Sequence, residues 1–430
     1  MFTRRQHIWG VIGVGIILVM TLGVFTMASS SDVTEVVFWD FINPKDETPR
    51  GIRLRKQLDI FHKRYPNIRV NVQVKSPSWI DPGLIAAAKA RSSPDVARVY
   101  NYFLPMHVDA GSIASLEKFT KDMDKNDWLV PWEATVFDGK KMGFPQEHRV
   151  FLFYYRKDLL EKVGGEIPRT WEEVGELGSK LNTPEVIGYA FGLSEKNMAY
   201  HLLEWFDAMM AIGRGDIFDE KGYGVFDNQA GLKFFQLIKD LVFKYRAAPS
   251  TVVGLKYDDI DYGLRAGTIA TGCLATHRWK GIKQIAGEEN FGWAPIPTYD
   301  GSPAPLIING WHLVMGKHAK HPEEAWRFME FLLTPEMQLL QAQQAAELPV
   351  RASTYQNAWF DTKEAKVMKE WAMMIEKYSI PAGYWTAEWF DLGQILAKET
   401  QTMILKDKAP KDALSDAQED FKKLIKEKRG

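Results

Sequence analysis

Residues 33–74 read VTEVVFWDFINPKDETPRGIRLRKQLDIFHKRYPNIRVNVQV. Val33–Trp39 alternates and is rich in β-branched and aromatic side chains, the pattern of a half-buried strand. Asp40 to Pro49 is a polar loop. Gly51–Tyr65 carries Ile52, Leu54, Leu58, Ile60 and Phe61 at helical spacing, and Pro66-Asn67 ends that helix. Ile68, Val70, Val72 and Val74 alternate again. Further on, Leu84–Ala90 has helical character, and Pro94-Asp95 introduces a third short strand, Val96–Tyr100. Strands and helices alternating at this pitch predict an open, mostly parallel α/β sheet. Ligands on such sheets collect beyond the carboxyl ends of the strands. Those ends hold Trp39, Asp40 and Asn43 after the first strand, and Tyr100, Asn101 and Tyr102 after the third.

The rest of the chain alternates less regularly. Lys141–Pro145 is a short strand stopped by proline, and Val150–Tyr155 is a strongly apolar β run. Thr170-Trp171-Glu172-Glu173 has the residues of a capping box and opens a helix. Met198 to Tyr245 is mostly helical, with a glycine-rich turn at Gly213–Gly224. Ile269–Leu274, Gly292–Pro297 and Leu313–Met315 return to strand. From Glu323 onward the chain is nearly all helix, broken at prolines. No internal repeat or low-complexity tract interrupts it.

Composition narrows the function. At 430 residues the chain is long enough for two domains. Lys and Arg number 54 against 55 Asp and Glu, which argues against a broad nucleic-acid-binding surface. The lone Cys273 excludes an intramolecular disulfide and a cysteine zinc cluster, and its small apolar surroundings suit a buried, inert thiol. His318-x-x-His321 reads as a solvated turn, and neither a metal nor a cofactor is expected. There is no Gly-x-Ser-x-Gly and no His-Glu-x-x-His. The aromatic content is high, with 15 Trp, 15 Tyr and 24 Phe; most belong to cores, and a subset at strand ends and loop starts is a candidate binding surface.

Arg4 and Arg5 precede an apolar run from Ile8 to about Phe25, followed by Ala28, Ser29, Ser30 and Ser31. Residues 1–30 have the layout of a secretory signal peptide, cleaved after Ser30 or Ala28. An uncleaved N-terminal anchor is the alternative, because the run nears the length of a membrane span. Either way the body is exported, to the periplasm or the cell surface. No cysteine follows the run, so a lipoprotein anchor is not expected.

Five segments, in order, carry a family resemblance. They are Glu35–Trp39 with Phe61–Ile68; Pro94-Asp95-Val96; Gly143-Phe144-Pro145 with Phe153–Leu160 and Pro168–Glu173; Ala266-Gly267 to Trp279 with Phe291–Pro297; and Ala325–Leu332 with Leu348–Arg351. With these the chain resembles the family 1 extracellular solute-binding proteins of ABC importers, the maltose-binding-protein-like sugar binders. The run after Gly267 departs from the family's usual pattern, with extra residues before Trp279.

The resemblance implies an α/β, two-lobe (type II) periplasmic-binding-protein fold. Crossing strands join the lobes, with a ligand cleft between them. It places lobe 1 at 32–144 plus 290–336 and lobe 2 at 145–289 plus 337–430. It implies a monomer that binds a carbohydrate, an oligosaccharide above all, closes by hinge motion and delivers its ligand to ABC permease membrane subunits. It does not imply an enzyme or a nucleic-acid partner, although a secreted two-carboxylate glycoside hydrolase remains an alternative.

Sugars offer apolar ring faces rimmed by hydroxyls, which suit flat aromatics and planar polar groups. On that basis the expected ligand residues are Trp39, Asp40, Asn43, Tyr100, Asn101, Glu147, Arg149, Trp279, Asn309, Trp311, Arg351 and Trp385. Convergence of Arg149, His277, Arg278, His312 and Arg351 would instead suit an acidic sugar or a sugar phosphate.

Overall fold

A computed structural model describes residues 33–194, 196–219, 221–379, 386 and 388–429. The expected signal peptide and Trp385 lie outside the described residues. The strands in chain order are β1 (Thr34–Asp40), β2 (Ile68–Val74), β3 (Val96–Tyr100), β4 (Val136–Phe137), β5 (Lys140–Lys141), β6 (Phe144–Pro145), β7 (Arg149–Arg156), β8 (Ile187–Ala190), β9 (Ile269–Ala275), β10 (Phe291–Ala294), β11 (Ile308–Asn309) and β12 (Trp311–Met315). The first helices are α1 (Pro49–Arg64), α2 (Pro77–Lys89) and α3 (Leu104–Asp109).

One sheet has the order β2-β1-β3-β12-β6. Its first three strands run parallel, as the opening pattern predicts, and β12 is antiparallel to β3 and β6. Period-two alternation on β1 sends Val36 and Phe38 to one core with Leu54, Leu58 and Phe61 of α1. It sends Trp39 to the other face, with Ile80 and Leu84 of α2. Thr48 caps α1 by accepting from the Gly51 amide at 3.1 Å, and Pro49 fills the first helical position.

The second sheet has the order β10-β7-β9-β8. The antiparallel β11 pairs with the start of β7, Asn309 opposite Arg149. The capping box at Thr170 and Glu173 forms as its sequence suggests. The two sheets and their covering helices make an α/β molecule of two lobes.

Three chain segments cross between the sheets. The first is 145–149, leading from β6 into β7, and the second is 309–311, leading from β11 into β12. The third contains Leu348, whose carbonyl accepts from the His148 amide at 3.1 Å. These crossings are packed tightly. The Gln146 amide donates to the Trp311 carbonyl at 2.8 Å. A Cβ on Gly310 would sit 2.1 Å from the Glu147 carbonyl oxygen, so only glycine lets the first two crossings touch.

Two expected lobe boundaries move. The resemblance puts Phe291–Ala294 in lobe 1, but β10 pairs antiparallel with β7 in the second sheet. It also divides Pro335–Ala345 between the lobes, but that helix lies on α1, where Gln57 Nε2 donates to the Met337 carbonyl at 3.2 Å. Val350 still belongs to the first lobe's core. Return to the second lobe therefore comes after the third crossing rather than at residue 337.

Candidate ligand cleft

Where the carboxyl edge of the first sheet meets the second lobe, a cavity of about 650 Å³ opens. Its first-lobe wall includes Asn101, Leu104, Trp128, Trp132, Lys141 and His312. The crossings and β11 contribute His148, Ile308 and Asn309, and Gly222, Thr386 and Arg429 also line the cavity. Elements of both lobes and of the crossings thus share one space, the arrangement that a hinge-closing binder needs.

Several polar groups in this wall are buried without a hydrogen-bond partner: Nε2 of His148, Nδ1 of His312 and Oδ1 of Asn309. Burial holds both imidazoles neutral, with each ring pushed down to about 3. A neutral imidazole offers one donor and one acceptor, as a sugar hydroxyl does. Lys141 donates to the Trp132 carbonyl at 2.7 Å and lies 3.9 Å from the centre of that indole. Its burial lowers the ammonium to about 7.

Beside the cavity a polar network ties the lobes. Tyr100, the last residue of β3, donates to Glu204 Oε1 at 3.0 Å. Asn309 Nδ2 donates to the same oxygen at 3.0 Å. Tyr102 donates to Asp207 at 3.4 Å and stacks on Trp389 with ring centres 5.1 Å apart. Glu204 and Asp207 lie on the helix Tyr200–Ile212 of the second lobe. Burial raises both carboxyls to about 7.

At the crossing itself lies a buried charge cluster. Arg149 pairs with Glu147, and Arg50 reaches Glu347 at 2.6 Å and Glu147 at 3.5 Å. Arg98 pairs with Asp40 at 3.2 Å with both side chains fully buried. Phe41 lies against this cluster, 4.3 Å from Trp311, which in turn lies 5.1 Å from Tyr100.

The expected ligand residues therefore divide. Asn101 and Asn309 line the cavity. Tyr100, Glu147, Arg149 and Trp311 are buried and do not line it. Asp40 is the partner of Arg98 and accepts from the Ile42 amide at 3.0 Å, and Asn43 shapes its turn by accepting from the Lys45 amide at 3.0 Å. Trp39 is buried under α2, its indole donating to Gln73 at 3.0 Å. Trp279 sits apart from the cavity, among Tyr154, Phe291 and Trp371 in the second lobe. Arg351 is clamped by Asp127 at 2.6 Å and covers Trp128.

Of the five cations considered for an acidic ligand, Arg149 and Arg278 both lie near enough to His277 to act on its ring, but none of the three arginines is free of a carboxylate. Arg149, Arg278 and Arg351 each face a carboxylate, and burial holds His277 and His312 neutral. Among the described residues no group of three or more His, Cys, Asp or Glu is placed to hold a metal ion. No helix there is long and apolar enough to cross a membrane.

Sequence reasoning missed Trp128, Trp132, Glu204 and Asp207. A signal existed for each pair. Trp128-Leu129-Val130-Pro131-Trp132 puts two indoles around a proline in an otherwise polar loop. Glu204 and Asp207 are two acids, three apart, inside the apolar run His201–Met210.

Comparison with known proteins agrees with this architecture. Residues 48–339 match the family model described as bacterial extracellular solute-binding protein. A Brucella abortus protein named as a binding protein is 23% identical over 407 residues, spanning 93% of this chain and 95% of its own. The arabinooligosaccharide-binding protein of Bacillus subtilis is 23% identical over 322 residues, 71% of this chain and 70% of its own. Among solved structures, maltose-bound MalE3 of Thermotoga maritima superposes with a TM-score of 0.77 at 22% identity, covering 91% of this chain and all of the other. The sugar-binding protein MalE of Xanthomonas citri gives 0.77 at 21% identity, covering 92% and 98%. The chain belongs to the bacterial extracellular solute-binding protein family.

Proposed function

We propose that the protein binds an uncharged carbohydrate, an oligosaccharide, in the interlobe cleft and presents it to an ABC permease. The observation that carries this reading is the cavity's wall: two indoles beside two neutral imidazoles and the Asn309 carboxamide, each of the three with a free polar atom. Those groups suit ring faces and hydroxyls. The pairing of Arg149, Arg278 and Arg351 with carboxylates weighs against a uronate or a sugar phosphate. The sugars named for its relatives support the same class. In this reading the protein works as an exported monomer and does not turn its ligand over. Asn101, Asn309, His148 and His312 would take hydroxyls, and Tyr100, Arg149 and Trp311 would support them from behind.

A thermal-shift screen over neutral oligosaccharides, their uronates and sugar phosphates tests it. Stabilisation by a neutral oligosaccharide, and less by its charged counterparts, is expected. Stabilisation by the charged forms alone would overturn it.

A further inference from the structure

Two acids of the second lobe take hydrogen bonds from the first. Tyr100, Tyr102 and Phe103 end or follow β3 of the first sheet, yet they pack into the second lobe's core. Phe103 stacks on Phe390 with ring centres 4.2 Å apart. Beside these rings lie Glu204 and Asp207, only 4% and 5% exposed. Glu204 Oε1 accepts from Tyr100 and from Asn309, while its Oε2 has no hydrogen-bond partner among the described residues. Asp207 accepts from Tyr102 at a long 3.4 Å. The acids stand three apart on one helix, so their side chains are neighbours on its surface. Two buried carboxylates this close, and this short of donors, are costly to ionise together.

Their surroundings do little to offset that cost. Two cations face Glu204, and both are engaged by other acids: Arg149 of β7 by Glu147, and Arg278 after β9 by Asp258 and Asp261. The other titratable neighbours are the phenols of Tyr100, Tyr102, Tyr200 and Tyr257. His201, on the same helix, turns to the Cys273 carbonyl at 2.9 Å. The helix Gln229–Phe243 packs on this one through Phe234, against Trp205 and Phe206. The helix Trp389–Leu405 packs on it through Gly393, where a Cβ would fall 2.7 Å from Leu203.

We propose that Glu204 and Asp207 are positioning residues that latch the closed lobes while protonated, so that ligand capture takes up protons. The inference rests on the hinge-closing reading above. When the lobes part, Tyr100 and Tyr102 leave with the first lobe, and both acids meet water, where carboxyls ionise near 4. In the closed interface burial holds both at about 7. Between those values the closed form keeps protons that the open form releases. Closure is therefore favoured in mild acid and weakens as pH rises through about 7.

The test titrates the wild type and the double variant E204Q/D207N by calorimetry with maltotriose, mannotriose and arabinotriose at pH 6 and pH 8. Two buffers of different ionisation enthalpy count the protons at pH 6. For any trisaccharide that binds, wild-type affinity should fall on the order of tenfold from pH 6 to pH 8, with uptake of about one proton at pH 6. The double variant keeps the shape of the protonated acids but cannot ionise, so its affinity should change less than about twofold, without proton uptake. Wild-type affinity that is level across this range, or a variant that keeps the wild type's pH dependence, overturns the latch and leaves the carbohydrate reading standing. If no trisaccharide binds the wild type, the carbohydrate reading fails, and X-ray scattering of the ligand-free proteins decides the latch by itself. The wild type should then be more extended at pH 8 than at pH 6 and the variant compact at both; equal wild-type dimensions would overturn it.

Discussion

Replacing Glu204 with Gln should flatten the protein's stability against pH. In the folded chain burial lifts this carboxyl from 4.5 to about 7. At 1.36 kcal/mol per pH unit, that difference amounts to about 3.4 kcal/mol. Below pH 4.5 the group is protonated whether the chain is folded or not, and no stability is lost. Between there and about 7 the unfolded chain releases the proton and the folded chain keeps it, so stability falls as pH rises. Above about 7 the loss is complete. The amide keeps the Oε1 acceptor used by Tyr100 and Asn309. It places an NH₂ where Oε2 has no partner, at a cost of about 1 kcal/mol. E204Q should therefore be about 1 kcal/mol less stable than wild type at pH 4, close to it at pH 5 and about 2 kcal/mol more stable at pH 8. Urea unfolding of both proteins across that range measures the difference. Parallel curves, with a constant offset and no crossing, would refute the claim that Glu204 is held protonated between the lobes.

Two further outcomes follow from burial. R149M leaves Glu147 without its closest cation inside the crossing and should cost about 3–5 kcal/mol in urea unfolding; a cost under about 1 kcal/mol would show that the pair is solvated. Cys273 is fully buried and its thiol is pushed up to about 12, so a thiol reagent at pH 8 should react only as fast as the protein unfolds; prompt labelling of the folded protein would contradict that placement.

Local pattern made the first sheet legible. β1, β2 and β3 fall where alternation puts them, and α1 ends at the Pro66-Asn67 break. α2 was only half visible. Pro82 and Gly83 look like breakers, yet the helix starts earlier, at Pro77, and runs through both. Gly83 is there for the Trp79 ring, a contact no periodicity reveals. The membership of β10 and of the helix Pro335–Ala345 was hidden for another reason. β7 takes β11 at its start and β10 at its end, a pairing set by crossings far apart in the chain. In the site, chemistry-bearing residues next to the crossings, such as Asn101 and Asn309, were recognisable from strand ends and glycine context. Trp279 was not separable from them, because an indole after a strand reads the same whether it meets a cleft or, as here, the ring of Tyr154.

The central claim is that the cleft binds a carbohydrate and leaves it unchanged. Titration calorimetry with the best-stabilising neutral oligosaccharide, followed by chromatography of the sugar recovered from the cell, tests this most directly. One molecule bound per chain and the sugar recovered intact are expected. Absence of binding heat, or shortened sugars in the recovered fraction, would contradict it.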